Sequence, residues 1–118
     1  MKNIAILGST GSVGISTVDV VEAFPEHFRI VALAAGRNLD ALRTQIKAHR
    51  PVVVGVARSD DARTLAREFG ATHFVSGSEG LEEVACCEAA ETVVVALVGS
   101  VGLAPTVAAV RAGKDIAL

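Results

Sequence analysis

At 118 residues the chain is long enough for one domain with a buried core, and its net charge of −2, from 11 basic and 13 acidic residues, does not suit a nucleic-acid binder. Apolar residues make up 51% yet aromatics only 3%, with no Trp and no Tyr, so the apolar mass is Val, Ala, Leu and Ile, as in a parallel sheet buried on both faces. No apolar run approaches the ~18 residues of a membrane span, and the chain does not open on a charged segment with a long apolar stretch, so neither a membrane partner nor a secretory signal is expected.

In chain order, residues 3–7 read as an apolar strand that runs into Gly8-Ser9-Thr10-Gly11-Ser12-Val13-Gly14. Gly8 permits the tight turn out of the strand. Gly11 lets the backbone approach a pyrophosphate with no Cβ in the way, and Gly14 lets the next helix pack close to the strand. Placed between a strand and a helix, this G-x-x-G-x-x-G spacing is the entry to a dinucleotide-binding fold, and the shifted glycine is common in NADP-linked oxidoreductases. The helix spans 13–24, with Val18, Val21 and Phe24 on its buried face, and Pro25 stops it. A strand over 29–35 follows. Asn38 is the expected N-cap of a helix over 39–49, whose Leu39, Leu42 and Ile46 share one stripe. Pro51 ends that helix and 52–56 is the third strand. Ser59 is expected to cap the next helix, with Asp60 and Asp61 at its positive end and Gly70 just past its finish near Phe69. A short strand over 72–75, a short helix over 78–86 and a strand over 92–97 come next. A second glycine turn, Val98-Gly99-Ser100-Val101-Gly102, leads into a helix over 104–112, with Pro105 in its first turn and Gly113 past its end. Residues 115–118 begin a sixth strand. The alternation predicts an α/β protein: a Rossmann-like, doubly wound parallel sheet in three α/β/α layers, with strand order 3-2-1-4-5-6 by analogy.

The choice of nucleotide is read at the end of the second strand. NAD enzymes carry a carboxylate there for the ribose 2′-OH, about 20 residues after the last glycine. Here the place holds Gly36-Arg37-Asn38 and no acid. A guanidinium can clamp a 2′-phosphate through two parallel hydrogen bonds, and Asn38 can donate from its side chain, which favours NADP(H) over NAD(H). Ser9, Thr10 and Ser12 have no base placed to make them nucleophiles and are expected to bind phosphate oxygens. Gly99 and Gly102 have two readings: a simple chain turn, or a loop that touches the nicotinamide half. His27, His49 and His73 are scattered and form no metal site, and Glu79, Glu82, Glu83, Glu88 and Glu91 read as a solvated face. No catalytic residue and no metal ligand is therefore assigned. The adjacent Cys86 and Cys87 would form a strained disulfide, so they are expected to be reduced thiols in a cytoplasmic protein.

Three stretches together, ILGSTGSVG from Ile6, PEHFRIVALAAGRN from Pro25 and ALVGSVGLAPTVAAVRAGKDIAL from Ala96, resemble the 1-deoxy-D-xylulose 5-phosphate reductoisomerase family, and the likeness spans all 118 residues. The resemblance implies an NADPH-dependent isomerisation and reduction of 1-deoxy-D-xylulose 5-phosphate to 2-C-methyl-D-erythritol 4-phosphate, in non-mevalonate isoprenoid biosynthesis. It implies Mg²⁺ or Mn²⁺ in the full-length enzyme and a homodimer. It assigns Thr10, Gly11, Ser12 and Val13 to the pyrophosphate loop, and Gly36, Arg37 and Asn38 to the 2′-phosphate and adenosine. The family often has Lys where Arg37 stands, so the charge is kept. In the family an Ala-Asn-Lys-Glu segment, the metal-binding carboxylates and a substrate lid lie further along. Residues 1–118 are thus expected to be an NADPH-binding domain without the catalytic and C-terminal domains, inactive by itself. The rival readings are another NADP-linked oxidoreductase such as a semialdehyde dehydrogenase, for which Cys86-Cys87 is badly placed, and a nucleotide-sensing Rossmann domain.

Overall fold

The aliphatic runs become the strands of one sheet, and the amphipathic stretches between them cover its two faces. The computed structural model describes residues 1–118. In order the elements are β1 (Lys2–Leu7), α1 (Ser12–Ala23), β2 (Phe28–Ala34), α2 (Leu39–His49), β3 (Val53–Val56), α3 (Ser59–Glu68), β4 (His73–Ser76), α4 (Gly77–Ala85), β5 (Thr92–Val95), α5 (Leu103–Arg111) and β6 (Asp115–Ala117), with a 3₁₀ turn at Gly99–Gly102. Every strand pair is parallel. Helices α1, α2 and α3 pack on one face, around Ile6, Leu42, Ile46 and Leu65. Helices α4 and α5 pack on the other, around Leu7, Val84, Val93 and Ala109. Leu42 and Leu65 are fully buried and each contribute roughly 1.5–3 kcal/mol by leaving water. The Rossmann-like three-layer class is as expected. No helix is long and apolar enough to cross a membrane.

The strand order is β4-β3-β2-β1-β5-β6, which corrects the order 3-2-1-4-5-6. The ten-residue α3 returns the chain directly beside β3, so β4 extends the first half of the sheet by one edge strand. The long crossover therefore falls between β4 and β5 and is made by α4, which packs on β3, β2 and β1. It can lie that low because small residues face it: Ala5, Ala32, Ala34 and Gly55. A register shift in the β1–β2 ladder makes this possible, since Ile4 pairs with Ile30 and Ala5 with Ala32, leaving Val31 as an extra residue. Strict alternation would put Ile30 and Leu33 on opposite faces. The bulge puts both under α1–α3 and leaves Ala32 and Ala34 under α4.

Helix ends follow local chemistry with two exceptions. The Asn38 side chain accepts the Ala41 N–H at 3.2 Å and caps α2 as expected, and Gly113 closes α5 at φ +83°. Ser59 is not a cap: it is the first residue of α3, and Arg58 stands before it without a capping side-chain bond. Gly70 does not take a left-handed turn; α3 closes when the Phe69 N–H bonds the Leu65 carbonyl at 2.9 Å. Across the surface, Arg43 of α2 donates to both Glu68 oxygens of α3, at 2.8 and 3.0 Å, and this bonding holds the Glu68 carboxyl below its ordinary range.

Candidate functional site

In a doubly wound sheet ligands sit outside the carboxyl ends of the strands, where the connections leave in opposite directions. Here that point lies between β1 and β5, and the β1–α1 turn occupies it. Gly8 has φ +86°, and its N–H and that of Ser9 both bond the Ala34 carbonyl, at 2.7 and 2.9 Å. A Cβ on Gly8 would lie 2.9 Å from the Ala96 oxygen, and one on Gly14 only 1.9 Å from the Gly8 oxygen, so both glycines are demanded by the fold. Gly11 differs. Its φ of −76° is open to any residue, and a Cβ there would meet nothing nearer than 3.7 Å. Gly36, at the end of β2, would meet nothing within 4 Å. Two glycines that the chain itself does not require leave bare backbone at one edge of the sheet.

Around them the expected residues come together. Thr10 is half-buried; Gly11, Ser12 and Val13 are exposed at the start of α1, whose first-turn N–H groups receive no side-chain cap. Gly36, Arg37 and Asn38 are exposed on the adjoining connection. Because the Asn38 Oδ1 is used by Ala41, its amide nitrogen is left to donate outward. The Arg37 guanidinium has no ion-pair partner, unlike that of Arg43. Ser9 corrects the expectation. It is fully buried, with Oγ facing no partner, so it cannot reach a ligand, and only Thr10 and Ser12 of the three hydroxyls remain for phosphate.

Two residues escaped the sequence reading. Gln45, buried on the apolar stripe of α2, donates its amide to the Ser9 carbonyl at 2.9 Å and holds the turn from below. A polar residue between Leu42 and Ile46 was the available signal. Gln45→Leu is expected to lower stability by about 1–2 kcal/mol, the scale of a buried carbonyl left without its donor. A urea midpoint equal to the parent's would show that the bond carries no weight. Arg58 follows β3, beside the Gly36 connection. Among the residues that join a strand's carboxyl end to the next helix, only Arg37 and Arg58 are charged, and both are cations.

A cavity of about 550 Å³ opens at this edge on the α4–α5 side, bounded by Gly36, Ala57, Leu81, Leu97, Val101 and Pro105. The second glycine turn reverses the chain: Gly99 takes φ +73°, a Cβ on Gly102 would lie 3.3 Å from a Val95 methyl, and the turn's Val101 lines the cavity. Glu82 also lines it and is half-buried, which sets it apart from the exposed Glu79, Glu83, Glu88 and Glu91. The histidines are far from this edge: His49 pairs with Glu22 at 2.8 Å and His73 with Glu83 at 3.1 Å. No three His, Cys, Asp or Glu side chains converge anywhere in the chain, so no metal step is derived from it. Cys86 and Cys87 are free and half-buried, and the Lys114 ammonium, donating to the Cys87 and Ala90 carbonyls, ties down their loop.

The profile of the family described as 1-deoxy-D-xylulose 5-phosphate reductoisomerase matches residues 4–118. The 1-deoxy-D-xylulose 5-phosphate reductoisomerase of Geobacillus kaustophilus is 50% identical over 119 residues and that of Shouchella clausii 49%; each match covers 100% of this chain and 31% of the relative. A crystal structure of DOX-P reductoisomerase in complex with NADPH, fosmidomycin and magnesium superposes with a TM-score of 0.93 at 38% identity, over 100% of this chain and 30% of that one. The enzyme from Zymomonas mobilis in complex with NADPH gives 0.89 at 30% identity, over 99% and 31%. This chain spans about 31% of the length of the relatives it matches. Neither the semialdehyde dehydrogenase nor the nucleotide-sensing reading is favoured by these matches.

Proposed function

The chain belongs to the 1-deoxy-D-xylulose 5-phosphate reductoisomerase family, and on that premise we propose that residues 1–118 form its NADPH-binding domain, serving an enzyme that converts 1-deoxy-D-xylulose 5-phosphate to 2-C-methyl-D-erythritol 4-phosphate. The observation that carries the reading is the pair of glycines, Gly11 and Gly36, left bare at the edge where the strand-to-helix connections carry two cations and no acid. Thr10, Gly11, Ser12 and Val13 hold the pyrophosphate through first-turn N–H groups and hydroxyls. Gly36 lets the adenosine ribose lie against the backbone, while Arg37 and the Asn38 amide receive the 2′-phosphate. Bound there, NADPH supplies the hydride of the reduction. The metal ligands and the substrate's own contacts belong to the remainder of the family's length, and residues 1–118 alone are expected to show no turnover. Free adjacent cysteines suit a reducing cytoplasm, and a homodimer is proposed for the full-length enzyme on the family resemblance.

The direct test is calorimetric titration with 2′,5′-ADP against 5′-AMP, which need only the adenosine half of the site. Tighter binding of 2′,5′-ADP by about tenfold or more is expected from one charge-assisted clamp; equal binding would overturn the 2′-phosphate assignment. Arg37→Ala is expected to weaken NADPH by about 1.5–3 kcal/mol while NADH stays nearly unchanged. Equal losses for both would mean that Arg37 does not read the 2′-phosphate.

A further inference from the structure

We infer that Arg58 is a second specificity-determining cation, which pairs with the 2′-phosphate of the cofactor opposite Arg37. This rests on the NADPH-binding reading and adds a residue that the glycine motif and the β2 turn do not contain. Three observations carry it. First, the β3–α3 connection lies directly alongside the β2–α2 connection, since the Ala57 N–H bonds the Gly36 carbonyl at 3.3 Å and extends the β2–β3 ladder past the strand ends. Neighbouring strands stand about 4.8 Å apart, and an extended arginine side chain spans more than that. Second, Gly36 and Ala57, the residues just before Arg37 and Arg58, both line the same cavity. Third, the Arg58 guanidinium is exposed and has no ion-pair partner.

The acids nearest in sequence do not neutralise it. Asp60 is taken by Arg63. Asp61 is half-buried in the first turn of α3 and makes no ion pair. With no acid in any strand-to-helix connection at this edge, two unpaired guanidinium groups stand on neighbouring connections. A phosphomonoester carries close to two negative charges at neutral pH and offers three acceptor oxygens, enough for both. An NAD-type ribose has only a hydroxyl to offer there and would leave the second cation without a partner.

The test compares the parent chain with Arg58→Ala, Arg58→Lys and Arg37→Ala, each titrated with 2′,5′-ADP, 5′-AMP, NADPH and NADH. Arg58 is exposed and its side chain caps no helix, so these variants are expected to unfold as the parent does. Arg58→Ala is expected to weaken 2′,5′-ADP and NADPH about five- to tenfold and to leave 5′-AMP and NADH within about twofold. Arg58→Lys, which keeps the charge, is expected to recover most of the preference. If Arg58→Ala weakens NADH as much as NADPH, the side chain acts on the adenine and the proposal is overturned. If Arg58→Ala binds like the parent while Arg37→Ala loses NADPH, the proposal fails and the NADPH reading stands. If the parent itself does not prefer 2′,5′-ADP to 5′-AMP, the NADPH reading fails first.

Discussion

Gly14→Ala is expected to destabilise the chain by at least ~3 kcal/mol, a large part of what a domain of this size has. The new Cβ would lie 1.9 Å from the Gly8 oxygen and 2.7 Å from the Ser9 Cα, both backbone atoms that no rotamer change can move. Relief requires α1 to swing away from β1. That exposes Val18 and Val21, which are 5% accessible, and pulls on a turn held by Ala34 above and Gln45 below. Overpacking alone costs ~1–3 kcal/mol, and the lost burial adds to it. Urea unfolding followed by far-UV circular dichroism measures the difference; a midpoint loss under ~1 kcal/mol would mean that α1 does not rest on the turn as described.

Gly11→Val should do the reverse: leave the fold and remove the ligand. With no atom nearer than 3.7 Å to its Cβ and φ of −76°, the residue has room inside the chain's own structure, and the expected stability change is below ~1 kcal/mol. Outside the chain, the branched side chain fills the space where a pyrophosphate would meet the first-turn N–H groups. Losing two or more charge-assisted hydrogen bonds corresponds to at least ~100-fold in affinity. NADPH and NADH should suffer alike, which separates this variant from Arg37→Ala. Retained binding by a folded Gly11→Val chain would refute the loop assignment.

What could be read from the chain alone was what short-range chemistry decides. Gly8 and Gly14 announce a turn and a close packing, Asn38 a cap, Pro51 a stop, and the structure has each of these at its place. The placing of Gly36-Arg37-Asn38 beside the β1 turn followed from the same fold class. The strand order did not follow, because whether the strand after α3 adds to the near edge or crosses the sheet depends on packing between residues far apart in sequence. The burial of Ser9 and the reach of Gln45 across 36 positions to its carbonyl are of the same kind. Arg58 was missed because a lone arginine before a helix looks like ordinary surface until the β2–β3 ladder sets it next to Gly36.

The placing of β1 has a consequence during synthesis. Of the six strands, β1 leaves the ribosome before the others, yet it is a central strand of the sheet, and one of its neighbours, β5, begins only at Thr92. The Glu91 carboxylate that meets the Asn3 N–H is 88 residues downstream, and the Ala96 backbone that crowds Gly8 follows still later. At ~5–20 residues per second, β1 spends several seconds with one open edge while β2, β3 and β4 assemble on the other side. The glycine turn, made before the sheet's other turns, is thus among the last of them to be enclosed. A nascent chain should acquire cofactor affinity abruptly, once β5 has docked, rather than in proportion to its length.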